Sequence, residues 1–152
     1  MTQLRLFDLP QTEYTSDDYW TPKWIFDALK VTFDLDVASP PQGPAHTPCR
    51  AYFTQQDDGL SQDWHGNVWM NPPFSKTSPW IQRFMQHNNG ICLVPMAKTK
   101  WFNKLWNTAD AILALPNDLK FDQGGIFIAT VLAAYGEQNV QALHQSNIGR
   151  VR

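Results

Sequence analysis

Cysteine is scarce in this chain: Cys49 and Cys92 are its only thiols. Two cysteines cannot build a disulfide framework, and the sequence reads as one for a reducing compartment, the cytoplasm. Long hydrophobic runs are missing as well. No stretch approaches the roughly 20 apolar residues that cross a bilayer, and no charged-then-apolar leader opens the chain. Charge is sparse at 17% of residues, and positive charge is not in excess, with 12 Lys and Arg against 14 Asp and Glu. A protein that holds DNA by phosphate neutralisation alone is normally basic, whereas this one carries a net −2 and a pI near 6.0. Tight non-specific binding of DNA by the bare domain is therefore disfavoured. DNA as a substrate is not excluded, because local placement of charge counts for more than its sum. Paired metal-ligand spacings are also lacking: His46 and Cys49 have no second pair, and no metal is expected.

What is present is aromatic and globular in character. The 152 residues include seven Trp and nine Phe, enough for one compact domain and hardly for two. Residues 1–18 read as a flexible arm, with a polar, acidic linker over Thr12 to Asp18, and 19–152 as a single domain. Thr21-Pro22 predicts a helix start, with Thr as N-cap and Pro at the first helical position and a face of Trp24, Ile25, Ala28 and Leu29. Phe33 to Ala38 reads as a strand. Residues 40–66 are irregular and proline-rich, with a short strand near Ala51-Tyr52-Phe53. Strands are then expected at Asn67–Met70, Ile91–Val94 and Ala111–Leu115, and one or two more in Ile126–Tyr135. Between them Ser78-Pro79 and Thr99 cap helices with apolar stripes at Trp80, Ile81, Phe84 and Met85, and at Trp101, Phe102, Leu105 and Trp106. Glu137–Gln145 is expected as a last helix. Buried strands alternating with one-stripe helices predict an α/β layered fold with a mostly parallel central sheet, in which ligands sit at the carboxyl ends of strands.

Asn71-Pro72-Pro73-Phe74 follows one such strand directly. As a bare tetrapeptide it could be a turn. Its chemistry also suits a planar amino group. The Asn71 carboxamide oxygen is an acceptor. Pro72 fixes its own φ and restricts the residue before it, which aims its carbonyl as a second acceptor. The ring of Phe74 offers a face for stacking. Asp36 falls at the end of another predicted strand, which favours a site over a mere turn.

Four segments in order carry a resemblance: Trp20-Thr21-Pro22; Asp34-Leu35-Asp36-Val37-Ala38-Ser39; Asp58-Gly59-Leu60-Ser61-Gln62-Asp63-Trp64; and Asn71-Pro72-Pro73-Phe74-Ser75. Together they resemble the small phage-type DNA N6-adenine methyltransferases, the phage Dam family, over roughly residues 19 to 135. The resemblance implies a reduced Rossmann-like methyltransferase fold, S-adenosylmethionine as donor, and adenine N6 in DNA as acceptor. It implies Asn71, Pro72 and Phe74 as the catalytic group. Asp36, Ala38 and Ser39 would stand beside the donor, Thr21 and Pro22 near its methionine end, and Asp58 or Asp63 near its ribose or adenine. Trp20 and Phe74 offer aromatic faces to a cationic donor. The glycine-rich loop of the larger methyltransferase class is reduced here to a single late Gly43.

Methylation of another planar amino group (cytosine N4, RNA adenine, a protein glutamine) uses the same chemistry, and a non-catalytic interaction module on this fold is the alternative of a different class. Contacts to DNA are expected from Ser75, Lys76, Lys98, Lys100 and Lys104, on the proposed active edge. In the arm, Gln3-Leu4-Arg5-Leu6-Phe7 resembles the short peptides by which bacterial DNA enzymes dock on the replication sliding clamp. There Gln3 would set polar register, and Leu4, Leu6 and Phe7 would fill an apolar pocket.

Overall fold

Strands that are apolar on both faces need helices on both sides, and the chain supplies them. The structure, a computed structural model, describes residues 20–116, 120–121, 124–125 and 129–152. In chain order its elements are α1 (Lys23–Leu29), β1 (Phe33–Asp36), β2 (Cys49–Tyr52), β3 (Val68–Met70), α2 (Thr77–His87), β4 (Gly90–Pro95), α3 (Lys100–Thr108), β5 (Ala111–Ala114), β6 (Lys120–Phe121), β7 (Gly124–Gly125), β8 (Thr130–Tyr135) and α4 (Glu137–Ser146). Short 3-10 turns at Gln55–Asp57, Gly59–Ser61 and Phe74–Lys76 interrupt the connections. The clamp-like residues Gln3, Leu4, Leu6 and Phe7 lie outside the described residues. No helix among the described residues is long and apolar enough to cross a membrane.

Six strands form one sheet in the order β2-β1-β3-β4-β8-β5. The first four run parallel, and β8 is antiparallel to both β4 and β5, so the mostly parallel α/β architecture holds. β6 and β7 make a separate two-stranded ribbon. One face of the sheet packs Ile25, Phe26 and Leu29 of α1 and Leu143 of α4 over Trp69, Ile91 and Leu132. The other packs Ile81 and Phe84 of α2 and Leu105 of α3 over Val68, Met70, Cys92 and Val131. Alternation along each strand sends neighbouring side chains to opposite layers. β1 breaks this rule: Phe33 and Leu35 serve different layers. The N–H groups of Asp34 and Leu35 both turn to the Asn67 carbonyl, at 2.8 and 3.4 Å, a local irregularity that resets the alternation.

Several boundaries differ from expectation for clear reasons. Pro22, not Thr21, holds the N-cap position of α1, and no side chain caps that helix. Trp24 is 42% exposed while Phe26 is buried against Trp69, with ring centroids 4.8 Å apart. The apolar stripe is thus Ile25, Phe26 and Leu29. β1 stops at Asp36 because the chain turns at Val37-Ala38. α2 starts one residue before Ser78, with the Thr77 hydroxyl donating to the Phe74 carbonyl at 3.1 Å. α3 begins as the sequence predicts, the Thr99 hydroxyl accepting from the Phe102 N–H at 3.2 Å.

The strand order makes room for a ligand. From β1 the chain moves outward to β2, then returns past β1 to β3. A parallel sheet that reverses its order in this way opens a crevice at the carboxyl ends of the two strands on either side of the switch, here β1 and β3.

Candidate active site

β1 ends at Asp36 and β3 at Met70, directly before Asn71, and the two strands are paired neighbours with Asp36 opposite Trp69. A cleft of about 490 Å3 opens there. Asp36, Ala38, Ser39, Trp20, Thr21 and Asp58 line it, together with Asn71, Ser75 and Lys76. Most of the residues singled out from the sequence therefore meet at one place. Pro22 and Pro72 are buried beside it.

Asp36 is an acid placed where acids are uncomfortable. It is 2% exposed, and among the described residues no Lys or Arg pairs with it. Burial pushes its carboxyl up to about 7, against the opposing pull of the Ala38 N–H, 3.2 Å from Oδ1, and of the Thr47 side chain. Three residues on, the Ser39 hydroxyl is buried and has no hydrogen-bond partner among the described residues. Buried polar groups are normally satisfied. An unpaired buried carboxylate and an unsatisfied hydroxyl on one wall suit a ligand bearing a cation and polar groups of its own.

The wall carrying Asp58 is built by the Asp58-to-Trp64 segment. Asp58 takes a left-handed conformation (φ 54). Gly59 then presses so closely on the turn after β1 that a Cβ there would stand 2.2 Å from the Val37 carbonyl oxygen. The Trp64 indole N–H donates to the Gly59 carbonyl at 2.8 Å. Trp64 also stacks on Trp80 of α2 at 6.5 Å and lies under the Arg83 guanidinium at 4.9 Å. Arg83 in turn donates to the Gln62 carbonyl at 3.0 Å. The Gly, Gln and Trp of this motif thus hold the loop in place. Of its two acids, Asp58 faces the cleft, while Asp63 is exposed and does not line it.

The opposite wall is the Asn-Pro-Pro-Phe turn. The Asn71 carboxamide Nδ2 donates to the Thr21 hydroxyl at 3.1 Å. Thr21, expected to cap a helix, instead holds this side chain. The Pro73 carbonyl accepts from the Lys76 N–H at 3.1 Å. No described backbone group donates to the Pro72 carbonyl, which leaves it as an available acceptor next to Asn71. Phe74 is half-buried and packs against the α1-side core, outside the lining of the cleft proper. Lys98, Lys100 and Lys104 also lie outside that lining, on the segment that follows β4.

Sequence reasoning missed Thr47, Thr54, Gln55 and Trp80, which also line the cleft. Thr47, Thr54 and Gln55 come from the irregular 40–66 stretch, where no periodicity announces direction. Trp80 is visible in the sequence only as part of a helical stripe. Burial pushes the Cys49 thiol up to about 11 and raises that of Cys92 further, which disfavours the thiolate at both.

Residues 10–143 match the family model described as DNA N-6-adenine-methyltransferase (Dam). A DNA N-6-adenine-methyltransferase of Haemophilus phage HP1 (strain HP1c1) is 29% identical over 118 residues, an alignment covering 70% of this chain and 66% of the relative. The chain thus spans just under two thirds of that relative's length. With the family model matched over most of its length, the chain belongs to the DNA N-6-adenine-methyltransferase (Dam) family.

Proposed function

We propose that this protein transfers a methyl group from S-adenosylmethionine to the N6 amino group of adenine in DNA. The observation that carries the reading is the joining of Asp36 and the Asn71 turn on one cleft at the switch point of the sheet. Family membership supports the acceptor.

Asp36, with its carboxyl buried and unpaired, would hold the cationic amino end of the donor. The unsatisfied Ser39 hydroxyl would take a polar group beside it, and Asp58 lies where hydroxyls of a ribose can be accepted. The bound donor supplies an electrophilic methyl on a sulfonium. The acceptor side depends on this chain alone. Adenine N6 is paired and stacked in a duplex, so the base is flipped out to reach the cleft. The Asn71 Oδ1 and the Pro72 carbonyl then accept its two amino hydrogens. Those bonds favour a more tetrahedral nitrogen with its lone pair released from ring conjugation and directed at the methyl. Phe74, half-buried outside the cleft lining, would stack on the extruded base only once its ring turns toward Asn71, and would then offset roughly 1–3 kcal/mol of the unstacking cost. Thr21 matters here through Asn71: accepting from Nδ2 turns the carboxamide so that its oxygen, not its amino group, meets the substrate.

The experiment is to incubate the protein with methyl-labelled S-adenosylmethionine and unmethylated DNA, then resolve the digested nucleosides by chromatography. Label is expected in N6-methyldeoxyadenosine. Label in N4-methylcytosine, in RNA or in protein instead would overturn the assignment of the acceptor. Asn71→Ala should keep donor binding and lose transfer by about 100-fold or more, the size seen when one transition-state hydrogen-bond partner is removed.

A further inference from the structure

The cleft leaves one part of the active edge unused. β4 lies beside β3, runs parallel to it and ends at Pro95, so the segment leaving it starts on the same edge as Asn71. Residues 96–106 hold Lys98, Lys100 and Lys104 and no acid. The rest of the chain carries the remaining nine Lys and Arg against all 14 acidic residues. Positive charge is therefore concentrated here against the trend of the molecule.

Its placement is unfavourable for the free protein. All three lysines are exposed, and among the described residues none is paired with a carboxylate. Lys100 and Lys104 are four apart on α3 and repel each other. Lys100 is also the first residue of the helix, where the helix dipole opposes a cation, and the first turn has no acid to compensate. The helix buries one side chain fully and packs its other apolar groups against the core only in part. Leu105 is the one buried side chain of α3. Trp101, Phe102 and Trp106 stay half-exposed, and Met96 is 42% exposed. Phe102 and Trp106 sit 6.1 Å apart, and the Arg152 guanidinium lies 4.9 Å over the Trp106 ring, a further cation on the Phe102 side of α3, while Lys104 and Trp101 line the neighbouring depression between α2 and α3 and Lys100 borders both. Met96, Lys98, Phe102 and Trp106 share one shallow surface depression.

We propose that the face formed by the 96–99 segment and α3 is where the DNA bearing the target base docks, with its phosphates on Lys98, Lys100 and Lys104. This deepens the proposed function and rests on it for the identity of the partner. Charge complementarity selects the occupant: a polyanion offsets all three unfavourable cations at once, whereas an apolar partner would bury them. Sugars and any exposed bases meet the half-exposed rings and Met96. DNA running from this face across the carboxyl ends of β4 and β3 reaches Asn71, and Ser75 and Lys76 stand on that path. An acidic domain can in this way act on DNA without gripping it everywhere.

The test uses the full chain and a fluorescent adenine-containing duplex. Binding is measured by anisotropy at several salt concentrations for the wild type and for Lys98→Gln/Lys100→Gln/Lys104→Gln. Each phosphate contact contributes about 0.9 to the slope of log K against log salt. The triple variant is therefore expected to lose two to three from that slope, roughly, and at least about tenfold in affinity near 0.1 M salt. Its melting temperature should be no lower than that of the wild type and its donor affinity unchanged, and a Lys→Arg triple should retain binding. Equal affinity and equal slope in the wild type and the Gln triple would overturn the docking face, even if the wild type methylates adenine. A difference in slope with no methylation by the wild type would keep the docking face and overturn the proposed function instead.

Discussion

Asp36→Asn separates what this carboxyl does for binding from what it costs the fold. In the unfolded chain it titrates near 3.8, and in the fold burial holds it at about 7. Below the lower value both states carry the proton. Between the two values the unfolded chain has lost a proton that the fold still keeps, so stability falls as pH rises; above the upper value the loss is constant. A span of roughly three pH units at about 1.4 kcal/mol each gives a cost of about 4 kcal/mol at pH 8. Asparagine avoids that cost but accepts less well from Ala38 and Thr47, which takes back about 1–2 kcal/mol. The net gain of about 2–3 kcal/mol corresponds to a melting temperature roughly 4–12 °C higher for the variant at pH 8. At pH 4 the cost of the buried charge is nearly gone while the weaker acceptance by asparagine remains, so the variant should melt a few degrees below the wild type. Thermal melts without donor across pH 4 to 9 measure this directly. Calorimetry with S-adenosylmethionine should show wild-type affinity tightening from pH 6 to 8 as Asp36 ionises, and weak binding by the variant throughout. A melting difference of the same size at pH 4 and pH 8 would refute the claim that burial of this carboxyl sets the balance.

Two further substitutions probe the walls of the cleft. Thr21→Val keeps the side-chain volume and removes the acceptor for Asn71 Nδ2. Steady-state kinetics should show kcat falling by about 5- to 10-fold, the worth of one hydrogen bond, with KM values little changed and Thr21→Ser restoring the rate. A change confined to donor KM would assign Thr21 to donor binding instead. Gly59→Ala puts a methyl where the Val37 carbonyl oxygen stands. It should cost about 1–3 kcal/mol or more in denaturant unfolding, and donor affinity should fall with it because Asp58 moves with the loop.

How much of the fold and the site is legible in the sequence depends on the range of the interaction concerned. β4 and most of β8 are apolar, α3 carries both a cap and a stripe, and α2 carries a stripe although Ser78 does not cap it, so local pattern is enough to find them. Asn71 and Asp36 are legible as strand-end residues because each directly follows or closes an apolar run. Thr21 misleads because a threonine before a proline looks the same whether it caps a helix or bonds a side chain 50 residues away. Trp24 and Phe26 are exchanged for a related reason: both fit a helical stripe, and only the position of Trp69 decides which is buried. Thr47 reaches Asp36 through a proline-rich connection whose path no periodicity reports. The reversal of strand order at β1, which makes the cleft, is a property of the whole sheet and leaves no mark on any short segment.

The two sides of the donor cleft differ in how they are fastened. The Asp58 side is riveted: Gly59 sits against the turn after β1, and Trp64, Trp80 and Arg83 bolt the loop to α2, the helix that the Asn-Pro-Pro-Phe turn leads into. The Pro40-Pro41 side is tied at its ends, by the Ser39 N–H on the Phe53 carbonyl and the Phe33 N–H on the Pro48 carbonyl, with the Gly43 N–H on the Pro40 carbonyl as the backbone bond between them among the described residues. A jaw held at its ends gives way more easily than one pinned along its length. On the proposed reading, donor and spent product should pass over the prolines, while the Asp58 jaw stays in register with Asn71.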